Sequence, residues 1–224
     1  MAPDPGPTRR KLIDAATTLF ARHGVAGVSR AEIGRAAGQR NTAALVYHFG
    51  DLDGILRAVL GENVARLRER RMAMLADAVA ASPTDVRPVM KAFVLPRADL
   101  ADGDWRDRAY AQIHADLTGH PAWTTAAVAH ATRNGGGPEV TAELVRRCPD
   151  VPADLQADRI LLVAAFVVRA TAARARALDM GGADPAEYHR THALFVANLV
   201  DVGVAAVTAP VSEETREASA IASA

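Results

Sequence analysis

Apolar side chains recur three and four residues apart along most of this chain, the spacing that lines one face of an α-helix. Leu12, Ala16, Leu19 and Phe20, with His23, form such a stripe before Gly24, which predicts a first helix over 8–23. Residues 1–7, rich in proline, read as a disordered tail. A short second helix is announced by Ser29 and Glu32, whose spacing spells a capping box, and by Val28 and Ile33, placed as a hydrophobic staple. Gly38 offers the residue type that enters a left-handed turn without steric cost. Gln39, Arg40, Asn41 and Thr42 then lead into Ala43, Ala44, Leu45 and Val46, so the next helix has a polar start and an apolar middle. Two short helices joined by a glycine corner, the second exposing its N-terminal end, are the layout of a helix-turn-helix.

Asp51 caps a fourth helix that nothing breaks before about residue 81, and its run of Arg66, Arg68, Glu69, Arg70 and Arg71 reads as a solvated face. Ser82 and Pro83 signal a stop and a restart over 83–95. Further helices are expected over 104–117, 121–133, 138–147, 153–178 and 184–207. The three glycines between Asn134 and Pro138 are the strongest break and predict an exposed, flexible loop. The last two long helices carry more apolar surface than one core contact needs. Phe166, Ala170, Ala173, Leu194 and Leu199 are therefore expected on a dimer face. With few aromatics and few β-branched runs, the fold class is all-α.

Formal net charge is zero over 224 residues, which excludes a uniformly basic coat. Distribution matters more: between 22 and 48 the charged residues are Arg22, Arg30, Arg35 and Arg40 against Glu32 alone. Arginine matches the acceptors of guanine, asparagine and glutamine pair with adenine, and threonine meets a thymine methyl. Tyr47 and His48 carry donors suited to phosphate oxygens. The DNA-contacting set is thus Ser29, Arg30, Gln39, Arg40, Asn41, Thr42, Tyr47 and His48. The single Cys148 makes no intrachain disulfide, no leader opens the chain, and the longest apolar run, 160–168, falls short of the ~20 residues of a membrane span. A cytoplasmic protein with no membrane partner is expected.

From about residue 8 to 60 the chain resembles the N-terminal domain of TetR-type transcriptional regulators. The likeness is carried by Leu19-Phe20-Ala21-Arg22-His23-Gly24, Val28-Ser29, Ile33-Gly34-Arg35-Ala36-Ala37-Gly38 and Tyr47-His48-Phe49-Gly50. Val46 stands where the family often has a second aromatic, and Leu52 where it often has a lysine. The resemblance implies a three-helix DNA-binding domain at 8–50, a connecting helix at 51–81, a ligand-binding and dimerisation domain at 82–209 and a flexible tail at 210–224. It also implies a homodimer, formed through the last two long helices, that binds a double-stranded DNA operator and is released by an unidentified small-molecule effector, most simply as a repressor. A pocket for that effector needs an apolar lining with a few polar anchors, which nominates Phe93, Trp105, Tyr110, His114, Trp123, Arg133 and Phe166. No cofactor is implied.

Two other readings compete. His114, His120 and Asp116 surround a helix junction and offer a metal-dependent enzyme, although HExxH, paired Cys-x-x-Cys, GxSxG and P-loop signatures are all absent. Val46 and Leu52 suggest a binding protein that has kept the fold and lost DNA affinity.

Overall fold

The computed structural model describes residues 5–39, 43–118, 133–181 and 191–222, and every regular element among them is an α-helix. In chain order they are α1 (Pro5–His23), α2 (Arg30–Ala36), α3 (Ala43–Phe49), α4 (Leu52–Ala81), α5 (Val86–Asp102), α6 (Trp105–Thr118), α7 (Gly137–Arg146), α8 (Ala153–Asp179), α9 (His192–Thr208) and α10 (Glu213–Ala222).

Two cores organise them. The first gathers Leu12, Ala16 and Phe20 of α1, Ile33 of α2 and Leu45 of α3 against Ile55, Leu56 and Leu60 of α4, and it continues into Ile113 and Leu117 of α6. The second packs Val89, Met90 and Val94 of α5 with Leu144 of α7, Val163 and Val167 of α8, Leu199 and Val200 of α9 and Ala78 of α4. Each of these side chains larger than alanine, fully buried, contributes about 1.5–3 kcal/mol of hydrophobic stabilisation. The 30 residues of α4, roughly 45 Å of helix, join both cores, the first up to Leu67 and the second from Met72 onward.

The corner between α4 and α5 is held by an arginine. Arg147, just beyond α7, is buried; its Nη2 donates to the carbonyls of Ser82 at 2.7 Å and Ala78 at 3.3 Å, and its Nη1 to that of Asp85. Its Nε donates to Glu143 Oε1 at 2.8 Å. Carbonyls at the end of α4, in the turn and at the start of α5 are thus tied together from another element. Hydrogen bonds from Arg146, and after burial's opposing effect those from Arg147, hold the Glu143 carboxyl down at about 2.

Several boundaries differ from the expected ones. The helix α1 starts at Pro5, inside the expected tail, because proline in a first turn forfeits no helical hydrogen bond. Residues 210–224 contain α10, which Ser212 caps by accepting from the Thr215 N–H at 3.2 Å. Ser82 does not start α5; its hydroxyl accepts from the N–H groups of Thr84 and Asp85, and Asp85 caps the helix by accepting from Arg87 N–H at 2.9 Å. That helix also runs past Leu95 and through Pro96 to Asp102, because its neighbours on both sides bury it. The glycine break at 135–136 is buried, not an exposed loop. Gly136, at φ +75°, lies so close to Met72 and Arg71 that a Cβ there meets the Met72 methyl at 3.1 Å. The expected helix at 121–133 lies almost wholly outside the described residues, as does the expected start of the last long helix at 184. Among the described residues no single helix is long and apolar enough to cross a membrane.

Candidate functional site

The amino-terminal corner is built by local chemistry. Ser29, extended at φ −97° and ψ 158°, caps α2: its hydroxyl accepts from Glu32 N–H at 3.3 Å, and Glu32 Oε2 accepts from Ser29 N–H at 2.8 Å. The side-chain hydrogen bond with Ser29, followed by the backbone one, lowers the Glu32 pKa. Val28 and Ile33 are buried together in the first core. At the other end Gly38, at φ +72°, lets Gln39 N–H reach the Gly34 carbonyl at 2.8 Å while Gly38 N–H reaches that of Arg35 at 3.0 Å, a complete Schellman motif.

The helix α3 turns Leu45 fully inward, so its neighbours face out. Tyr47 is 81% exposed, and its ring stands edge-on to that of the half-buried His48 at 5.0 Å. Arg9 of α1 covers Phe49 at 5.3 Å, securing the far end. Ser29, Arg30, Arg22 and Arg35 are exposed, while Gln39 is half-buried at the corner. This surface combines cations, a phenol and a helix start directed at solvent, the equipment for phosphate contact and base readout. Arg40, Asn41 and Thr42 lie outside the described residues.

A second polar constellation lies inside. Tyr110 and His114 of α6 pack with ring centroids 5.8 Å apart, and Arg97 of α5 donates from Nη1 to His114 Nδ1 at 3.1 Å. Arg71 of α4 is 3% exposed and donates from Nη1 to the Gly135 carbonyl at 2.6 Å. Burial, followed by the charge of Arg97, pulls the Arg71 pKa down to about 9. Burial, then the charges of Arg97 and Arg71, pushes His114 well below the usual histidine value. Burial raises Tyr110, which keeps its proton.

Six of the seven expected pocket residues are described, and they do not all come together. Tyr110 and His114 come together; Phe93 is filler in the second core; Trp105 is on the surface at the start of α6, with Arg106 stacked 4.5 Å over its ring; Arg133 is exposed. Phe166 is exposed because Val163 and Val167 take the inward positions of α8. Trp123 lies outside the described residues, as does His120. Arg71, assigned to a solvated run, is instead buried, and Arg97 was not nominated at all.

On the expected dimer face, Phe166 and Leu194 are exposed, with Leu161 and Leu162 beside them, and Ala170 and Ala173 are half-buried. Leu199 does not belong there: with Val200 it faces the second core, and Leu194 and Val202 take the outward phase of α9. The proposed metal trio is also split. Asp116 accepts from Val25 N–H at 3.2 Å while His114 faces Arg97, and among the described residues no three His, Cys, Asp or Glu side chains converge as metal ligands.

Residues 12–59 match the family model of the bacterial regulatory proteins of the tetR family. Among solved structures, the fatty acid degradation regulator FadR of Bacillus halodurans superposes with a TM-score of 0.60 at 16% identity, covering 88% of this chain and 95% of that one. SmeT, described as the repressor of the Stenotrophomonas maltophilia multidrug efflux pump SmeDEF, gives 0.57 at 20% identity, over 88% of this chain and 89% of its own. A complex of SmeT with triclosan gives 0.58 at 19% identity, over 92% and 99%. A search of curated proteins finds no match. At these identities the likeness is one of fold.

Proposed function

Because residues 12–59 match the tetR family model and the fold is similar to that of SmeT, we propose that the chain is a ligand-responsive TetR-type repressor, a homodimer that leaves a palindromic DNA operator when a small molecule enters its C-terminal half. The observation that carries this reading is the α2 to α3 corner, capped at Ser29, closed at Gly38 and presenting Tyr47 to solvent. In it Arg40, Asn41, Gln39 and Thr42 read bases, while Ser29, Arg30, Tyr47 and His48 hold phosphates. We take 8–50 as the DNA-binding domain, 51–81 as the connecting helix and 82–209 as the ligand-binding and dimerisation domain.

A dimer is supported by the apolar surface of α8 and α9. Leu162 is 71% and Phe166 44% exposed, and Leu194 is likewise turned to solvent, an arrangement that ordinarily marks an interface. Coupling is supported by α6, whose Asp116 holds the Val25 N–H while Arg106 grips Asp14 of α1 through two bonds of 3.1 and 3.0 Å. A ligand that shifts α6 or α4 therefore moves the reading heads, which fit successive major grooves only near ~34–36 Å apart. SmeT, similar in fold, is known bound to triclosan, which makes a small-molecule effector a natural extension. By the same linkage, DNA weakens ligand binding by the factor by which ligand weakens DNA binding.

Selection from a random duplex library tests the reading, with a palindrome expected. On the selected site Arg40→Ala loses about 1–3 kcal/mol and relaxes one base position, whereas Tyr47→Phe weakens all sequences alike. Parent-like binding by both variants in a salt titration defeats the assignment.

A further inference from the structure

The helices α4, α5 and α6 meet between the two cores, and Arg71, Arg97, Tyr110 and His114 come together there. Arg71 spends Nη1 on the Gly135 carbonyl, while its buried Nε has no partner among the described residues. Arg97 donates to His114 Nδ1, which leaves the proton of the neutral ring on Nε2. The Tyr110 hydroxyl retains its proton, and both guanidinium charges act on it. Among the described residues neither Arg71 nor Arg97 is in a salt bridge, and no described carboxylate acts on the charge of either.

Such an arrangement is costly on its own. An unpaired buried cation loses its hydration without compensation, and a second cation nearby adds repulsion. Arginine is also the side chain whose planar fork matches an oxyanion through paired hydrogen bonds, and it does so best away from water. The stretch 119–132 contains no acidic residue, so the sequence next to α6 supplies no counter-ion either.

We infer that the effector is an anion whose carboxylate or phosphate group binds between Arg71 and Arg97, with Tyr110 and His114 donating to its remaining oxygens. The inference rests on the ligand-responsive reading above and adds to it the chemical class of the ligand. It also gives the ligand a handle on the DNA-binding half. Arg71 stands on α4 between Leu67, in the first core, and Met72, against the second; Tyr110 and His114 share α6 with Asp116. An anion drawing these groups together acts on the two helices that reach the amino-terminal domain.

Thermal unfolding of the full chain tests this with sodium benzoate, sodium hexanoate and inorganic phosphate, each against sodium chloride at equal ionic strength, and with benzamide and hexanamide as neutral counterparts. At least one anion raises Tm by about 3–6 °C at tenfold excess over its dissociation constant, the amides do not, and Arg71→Gln and Arg97→Gln each abolish the rise. A response to the organic acids alone identifies a carboxylate ligand, and a response to phosphate alone a phosphate ester. Absence of any rise above chloride and amide, or a rise that survives in both variants, overturns the inference. Should Arg71→Gln fail to fold, calorimetric titration of Arg97→Gln with the active anion decides, at least a tenfold loss of affinity being expected and unchanged affinity overturning it. The duplex selection separates the two claims: an arginine-dependent rise without an enriched duplex removes the regulator and keeps the site, and the converse removes the site alone.

Discussion

Arg147 and Arg71 are both buried, and they meet opposite surroundings. Around Arg147 every nitrogen has an acceptor: three carbonyls at the α4 to α5 corner and the carboxylate of Glu143. Around Arg71 there is one carbonyl, an unpartnered Nε and a second arginine. A buried cation costs several kcal/mol of hydration unless hydrogen bonds and opposite charge replace it. The first site replaces it with the protein's own atoms and so belongs to stability. The second leaves the replacement to something else, which is why burial alone is no guide to what an arginine does.

The largest expected effect comes from the satisfied site. Arg147→Ala leaves the corner carbonyls and Glu143 without their donor and lowers the unfolding free energy by about 3–5 kcal/mol in urea titration. Arg147→Lys recovers little, because a single ammonium cannot span acceptors set around a planar fork. At the unsatisfied site the sign reverses. Arg71→Met keeps the apolar stem, gives up one hydrogen bond and removes the repulsion with Arg97, so without ligand the variant gains about 1–2 kcal/mol. A loss as large as that of Arg147→Ala erases the distinction between the two sites.

What could be read from sequence divides along the same line. The Ser29–Glu32 box, the Val28–Ile33 staple and the Gly38 corner each depend on residues a few positions apart, and all form as their spacing dictates. The all-α architecture follows from periodicity in the same way. Arg71 was illegible because its neighbours Arg66, Arg68 and Arg70 are exposed, and what buries it is the glycine pair Gly135 and Gly136, 64 residues away for the bonded carbonyl. Two of the expected pocket aromatics, Phe166 and Trp105, lie at the surface for a related reason. Helix phase, fixed only by packing, sends Phe166 outward and Leu199 inward, and Trp105 falls at a helix start where Arg106 shields it. Long-range contact decides which polar groups meet in the interior and which of their atoms, such as Arg71 Nε, are left over.

The smallest effect probes the interior site through His114. Its folded-state pKa lies well below the ordinary 6.5, first through burial and then through the charges of Arg97 and Arg71. As pH falls through 6.5, the unfolded chain takes up a proton on this ring that the folded chain does not. Stability is therefore full above that pH and declines below it, until the folded-state pKa is reached. Between pH 6.5 and 5.5 the loss attributable to the ring is about 1 kcal/mol. His114→Gln, which retains an acceptor for Arg97, removes that share, and the difference between parent and variant isolates it from every other titrating group. An anion seated between Arg71 and Arg97 offsets the charges that oppose protonation, so the active anion narrows the difference, while its neutral amide leaves it unchanged. A difference indifferent to the anion means that burial alone sets the ring's charge, and the two guanidinium groups then have no anion-linked role at His114.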